Sequence, residues 1–155
     1  MIAIKPHHFV DIVTALGAGQ TTYEAHPYGH ALHTVANAIL ANRDVMLRIE
    51  IGADDICLPC RHNVNGACDD TLNNAANPKI PRSKGEYNLM LDQRWSERLG
   101  ITQGDEMTAR DLCALISTRM GDISDIYREI APEAVVKRHA ELTGGIRAFL
   151  AQRAA

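Results

Sequence analysis

Val45-Met-Leu-Arg-Ile-Glu-Ile51 alternates apolar Val45, Leu47, Ile49 and Ile51 with Met46, Arg48 and Glu50. That period of two is the signature of a strand with one buried face. The strand runs directly into Gly52-Ala-Asp-Asp-Ile-Cys-Leu-Pro-Cys-Arg-His-Asn-Val-Asn-Gly-Ala-Cys-Asp-Asp70, which holds three of the four cysteines as Cys57-x2-Cys60-x7-Cys68. Thiolates are soft ligands, and the turn inside a Cys-x2-Cys pair brings two sulfurs to one ion. Pro59 and Asn65-Gly66 punctuate the loop, and Asn-Gly lets the backbone double back so that a third sulfur converges on the same point. Residues 52–70 are therefore expected to form a metal or iron–sulfur site.

Outward from this stretch the pattern turns helical. Towards the N-terminus, Ile2 to Ile4 suit a short strand. Pro6 then suits the first turn of a helix, with Phe9, Val10, Ile12, Val13 and Leu16 on its apolar face and Gly17 and Gly19 at its end. Gln20 to His26 is polar and reads as loop, and Leu32, Val35, Ile39 and Leu40 predict a helix from Pro27 to about Asn42. Downstream, Asn73 to Ser83 reads as irregular. Helices are predicted over Glu86–Leu99 (stopped by Gly100), from a Thr108 cap to about Met120, from Asp122 or Ser124 to Ile130, and from Pro132 to Gln152 with a break at Gly144-Gly145. The expected fold is mainly α with a short strand or small β element, an α+β class. It is read as one compact domain over 1–155, with the metal loop at 52–70 and C-terminal helices within 108–152.

A chain of 155 residues with 46% hydrophobic and 23% charged content has the size and composition of a single soluble domain. The net charge of -3 and the lack of any Lys/Arg run exclude a phosphate-tracking stripe, so no nucleic-acid partner is expected. Met1-Ile-Ala-Ile-Lys-Pro6 lacks the apolar core of a signal peptide, and no segment has the apolar length of a membrane span. The expected location is the cytoplasm, where close cysteines favour metal over disulfide. There is no phosphate loop after a strand, no Gly-x-Ser-x-Gly elbow and no His-Glu-x-x-His helix. Clustered thiols also argue for coordination rather than Cys–His nucleophilic catalysis.

Structural zinc and cubane clusters both usually take four protein ligands. With Cys57, Cys60 and Cys68 supplying three, the remaining candidates are Cys113, whose other reading is a core thiol among Leu112, Leu115 and Ile116, and His62, which the loop is expected to point outward. The spacing alone does not choose between zinc and iron. Asp54, Asp55, Asp69 and Asp70 flank the loop and commonly such residues cap turns. His7 and His8 open the first helix about 100° apart, so both do not easily serve one ion; one is expected to reach the loop while the other is exposed. His26, His30 and His33 form a second group near Tyr23, Glu24 and Tyr28, and His139 reads as a surface residue.

Lys5-Pro-His-His-Phe-Val10, Asp54-Asp-Ile-Cys-Leu-Pro-Cys60, Cys68 and Leu99-Gly-Ile-Thr-Gln-Gly-Asp105 together resemble DUF1284, a bacterial family of unknown function, over about Ile4 to Ile116. The resemblance implies an iron–sulfur cluster, with a 4Fe–4S cluster favoured and zinc as the alternative; it implies no defined reaction. Members commonly carry a cysteine where this chain has Asp11, and further cysteines near the C-terminus where this chain has none after Cys113. The fourth position accordingly falls to Cys113, to Asp11 through oxygen, or to an exogenous ligand on an open iron. A cluster held by four protein ligands suits an electron carrier or redox accessory to a partner protein, and an open or Asp11-ligated iron suits an enzyme acting on a small molecule. A zinc-stapled structural or interaction domain is the third expectation.

Overall fold

The computed structural model describes residues 1–153. A three-stranded sheet has β2 (Met46–Ile49) at its centre, parallel to β1 (Ile2–Ile4) and antiparallel to β5 (Glu106–Thr108). The alternation read from the sequence is realised, because Leu47 and Ile49 are buried while Met46 and Arg48 face outward. Five helices surround the sheet: α1 (Pro6–Gly17), α2 (Leu32–Ala41), α3 (Lys84–Leu99), α4 (Ala109–Arg119) and α5 (Pro132–Ala151). A second, two-stranded sheet, β3 (Asn63–Val64) and β4 (Ala67–Cys68), lies inside the cysteine loop. The fold is α+β, and among the described residues no helix is long and apolar enough to cross a membrane.

Local signals account for most boundaries. The Ser83 hydroxyl accepts the Glu86 N–H at the start of α3, and Gly100 ends that helix in the left-handed region at φ 68°. Thr108 caps α4 by accepting the Asp111 N–H. The core runs from Ile4, Phe9 and Val13 through Leu47 and Ile49 to Trp95, Leu112, Ile116 and Phe149, all fully buried. Each such side chain contributes roughly 1.5–3 kcal/mol.

Three expectations are corrected, each by tertiary contacts. α2 begins at Leu32, not Pro27, because the cysteine loop takes the preceding backbone: Arg61 N–H donates to the Tyr28 carbonyl (2.8 Å) and Ala31 N–H to the Ile56 carbonyl (3.0 Å). No helix forms over 122–130. Arg98 and Arg94 of α3 capture the Asp122 and Ile126 carbonyls at 2.6 and 2.9 Å, so Ile123, Ile126 and Tyr127 enter the core from turns. Conversely, α5 runs unbroken through Gly144-Gly145. Glycine in a helix costs about 1 kcal/mol relative to alanine, but a Cβ at Gly145 would stand 1.8 Å from the Val13 carbonyl oxygen of α1. A Cβ at Gly17 would stand 1.7 Å from the Glu141 carbonyl oxygen. The close crossing of α1 and α5 needs both glycines.

Candidate metal centre

The loop folds back as the sequence indicates. Asn65 (φ 52°) and Gly66 (φ 85°) make the two-residue turn of the β3–β4 hairpin, where both central residues take left-handed backbone. The Cys60 N–H donates to the Cys57 carbonyl at 2.9 Å and closes the Cys-x2-Cys turn. Gly85, in the first turn of α3, lies so near Cys68 that a Cβ there would stand 3.0 Å from the Cys68 carbonyl oxygen. Cys57, Cys60 and Cys68, all half-buried, line one cavity of about 400 Å³ together with His7, His8, Asp11 and His62. The same three cysteines, Lys5 and His62 also line an adjoining hollow of about 40 Å³.

Asp54 joins this loop to the start of α1. It is 1% exposed. One carboxylate oxygen accepts the Lys5 N–H (2.8 Å) and the His8 Nδ1–H (2.7 Å). The other accepts the N–H groups of Ile56 and Cys57, both at 3.1 Å. Burial raises its pKa, but the His8 contact and the N–H donors of Lys5 and Cys57 outweigh burial and hold it at about 2. Its neighbour Asp55 accepts the Ala3 N–H at 2.9 Å, Asp70 caps Thr71, and Asp69 pairs with His62 at 2.8 Å.

An ionised carboxylate only accepts, so Nδ1 of His8 carries a proton and Nε2 is the nitrogen left for a ligand role. A carboxylate behind a histidine is the usual support for a metal ligand. Among the described residues, His8, Asp54 and Cys57 form the one group whose donor atoms all lie within 4.8 Å of one another. Asp54 is already saturated by four hydrogen bonds, so its part is to orient His8. The three loop sulfurs do not form such a single-ion cluster; sulfurs on separate irons of a cubane stand further apart than sulfurs on one ion. Burial, reinforced by Asp54, pushes the Cys57 thiol up to about 11. Without metal it is a neutral thiol, unsuited to nucleophilic catalysis and able to give up its proton to a metal.

The other expected residues fall as follows. Cys113 is fully buried in the core of α4 and lines neither hollow. Burial pushes its thiol up to about 12 against the opposing pull of Arg43 and Arg110. Of its two readings, this placement favours the core thiol. Asp11 does line the cavity, but its carboxylate pairs with Arg138 of α5 at 3.0 Å. His62 faces the cavity instead of solvent. His7, expected to be exposed if His8 reached the loop, is 4% exposed and bonds through Nδ1 to the fully buried Asp92 of α3 at 2.8 Å. His139 is half-buried, not an open surface residue.

Lys5 and Asp92 belong to this neighbourhood and were not singled out by sequence reasoning. Asp92 carried a readable signal: an acid one residue from Leu91 on the face that buries Tyr87, Trp95 and Leu99. The chemistry of the donor set fits a metal centre of three thiolates and one imidazole. The N-termini of α1 and α3 begin at its wall, and their partial positive charge suits an anionic group. The chain matches no family model, no curated protein and no solved structure.

Proposed function

We propose that the protein binds an iron–sulfur cluster, 4Fe–4S by preference, through Cys57, Cys60, Cys68 and His8, and serves as a redox accessory to a partner protein. The observation that carries this reading is that three half-buried thiols and a carboxylate-anchored imidazole line one cavity. Lys5-Pro-His-His and Asp54-Asp-Ile-Cys-x2-Cys60, the motifs that resemble DUF1284, supply residues that line this cavity, and that resemblance is the reason iron is preferred here. When bound, such a cluster supplies one-electron chemistry. The protein holds it, keeps its histidine ligand oriented and surrounds it with helix N-termini. A histidine in place of a fourth thiolate removes negative charge and raises the reduction potential relative to an all-cysteine site. His8 fits the fourth position better than Asp11, whose carboxylate is engaged with Arg138. The cytoplasm is the compartment this reading expects, because thiols kept reduced remain available to a metal.

Zinc is the second reading on the type of its donors, since three cysteines and a histidine backed by a carboxylate are also a structural zinc set. To hold it, the loop would have to draw Cys60 and Cys68 in towards His8 and Cys57. Anaerobic purification followed by iron, sulfide and zinc analysis and electron paramagnetic resonance separates the two. The cluster reading expects a brown protein whose visible absorption bleaches on reduction. A colourless preparation with stoichiometric zinc, made without exposure to air, replaces it with the structural reading.

A further inference from the structure

Three cationic side chains line the large cavity: Lys5, Lys84 and Arg138. Two are already matched, Lys84 with Asp70 at 3.6 Å and Arg138 with Asp11 at 3.0 Å. Lys5 is not. The residue is 8% exposed and its backbone N–H is used on Asp54, yet among the described residues its ammonium makes no ion pair and no hydrogen bond. The ammonium is not among the buried unsatisfied atoms, so its tip keeps contact with the open cavity that it lines, and its natural complement there is an anion. The lining also includes apolar and aromatic side chains, Leu32, Leu91, Ile130, Tyr28 and Tyr87. A volume of about 400 Å³ is in the range that receives small organic molecules.

One unmatched cation in a cavity that also offers apolar and aromatic wall complements a molecule with one negative charge and a hydrocarbon or ring body. A phosphate ester would need more positive charge than this wall leaves free. We propose that the cavity binds a small organic monocarboxylate, with its carboxylate on the Lys5 ammonium and its body against Leu32, Tyr87, Leu91 and Ile130. The site adjoins the proposed metal centre but does not rest on it, since neither Lys5 nor the apolar wall supplies a metal ligand.

The test is calorimetric titration of the full-length, anaerobically purified protein with benzoate and with benzamide, its neutral isostere, metal content being measured on the same sample. Benzoate is expected to bind saturably at one site and benzamide at least about tenfold more weakly, the usual worth of one charge-assisted contact. Lys5→Met should erase that preference. If Lys5→Met does not fold, Ile130→Trp, which enlarges a side chain of the apolar wall, should weaken benzoate by a similar factor. Absence of saturable benzoate binding, or equal affinity for the two probes, overturns the proposal. So does a Lys5→Met protein that loses metal while keeping its affinity for benzoate, which would assign the ammonium to the centre instead. A sample without metal that still prefers benzoate upholds this inference while removing the proposed function.

Discussion

The two histidine groups of this protein differ in one atom's surroundings. At the start of α1, the Nδ1 atoms of His7 and His8 face the carboxylates of Asp92 and Asp54. Before α2, the Nδ1 atoms of His26 and His30 accept backbone N–H groups, from Tyr28 at 3.1 Å and Leu32 at 3.4 Å. An accepting Nδ1 leaves the proton on Nε2 and no lone pair there, so His26 and His30 stack as neutral rings 4.5 Å apart and are poor ligands. Burial, and then the neighbouring His26, lower the His30 pKa further. What decides ligand competence is the partner of the far nitrogen, and that partner is remote in sequence.

The largest effect that can break this contrast comes from the thiols. Cys60→Ala should reduce bound metal to below about a tenth of wild type, since removing a direct ligand costs more than loosening its support. His8→Ala should lose most of the metal, whereas Cys113→Ala, measured by the same metal analysis, should retain it.

Asp54→Asn sharpens the comparison. With its oxygen kept on the Ile56 and Cys57 N–H groups, the new amide NH₂ faces the Lys5 N–H and drives the His8 proton onto Nε2. That converts His8 to the His26 kind, and metal affinity in a competitive chelator titration should fall about 10–100-fold.

The pH dependence follows from the same carboxylate. Its folded pKa of about 2 lies below the ordinary 3.8, so its ionisation stabilises the fold above pH 4. That contribution, about 2 kcal/mol, is lost as pH falls from 3.8 towards 2. Urea unfolding of the metal-free chain should show this decline in wild type, and a flatter profile in Asp54→Asn.

The smallest effect is expected from His26→Ala and His30→Ala, which should leave metal content within about twofold of wild type. A large loss in either would erase the distinction between the groups.

Much of the fold was legible because its signals are local. The alternation of 45–51, Pro6 at the start of α1, the Thr108 cap and the Asn65-Gly66 turn each depend on a few adjacent residues. What escaped depends on distant partners. Arg94 and Arg98 divert the backbone of 122–130 from a helix, and the Val13 carbonyl of α1 makes glycine a packing requirement at position 145 inside α5. β5 is only three residues long, too short for its periodicity to register. The three loop cysteines were readable from spacing; the burial of Cys113 away from them, and the unmatched ammonium of Lys5, were not, because both depend on where α4 and α1 finally lie.

The glycine contacts between α1 and α5 also bear on the far end of the molecule. α1 is seized near its C-terminal end, where Gly17 and Gly145 let two backbones touch, and His8 rides at its opposite tip. α5 grips the helix further along as well, through Arg138 on Asp11 and Phe149 against Phe9, so α1 moves with α5 as one piece. A single methyl added at position 145 would shift α1 and with it the imidazole of His8, so the proposed metal affinity should respond to a residue that lines neither hollow.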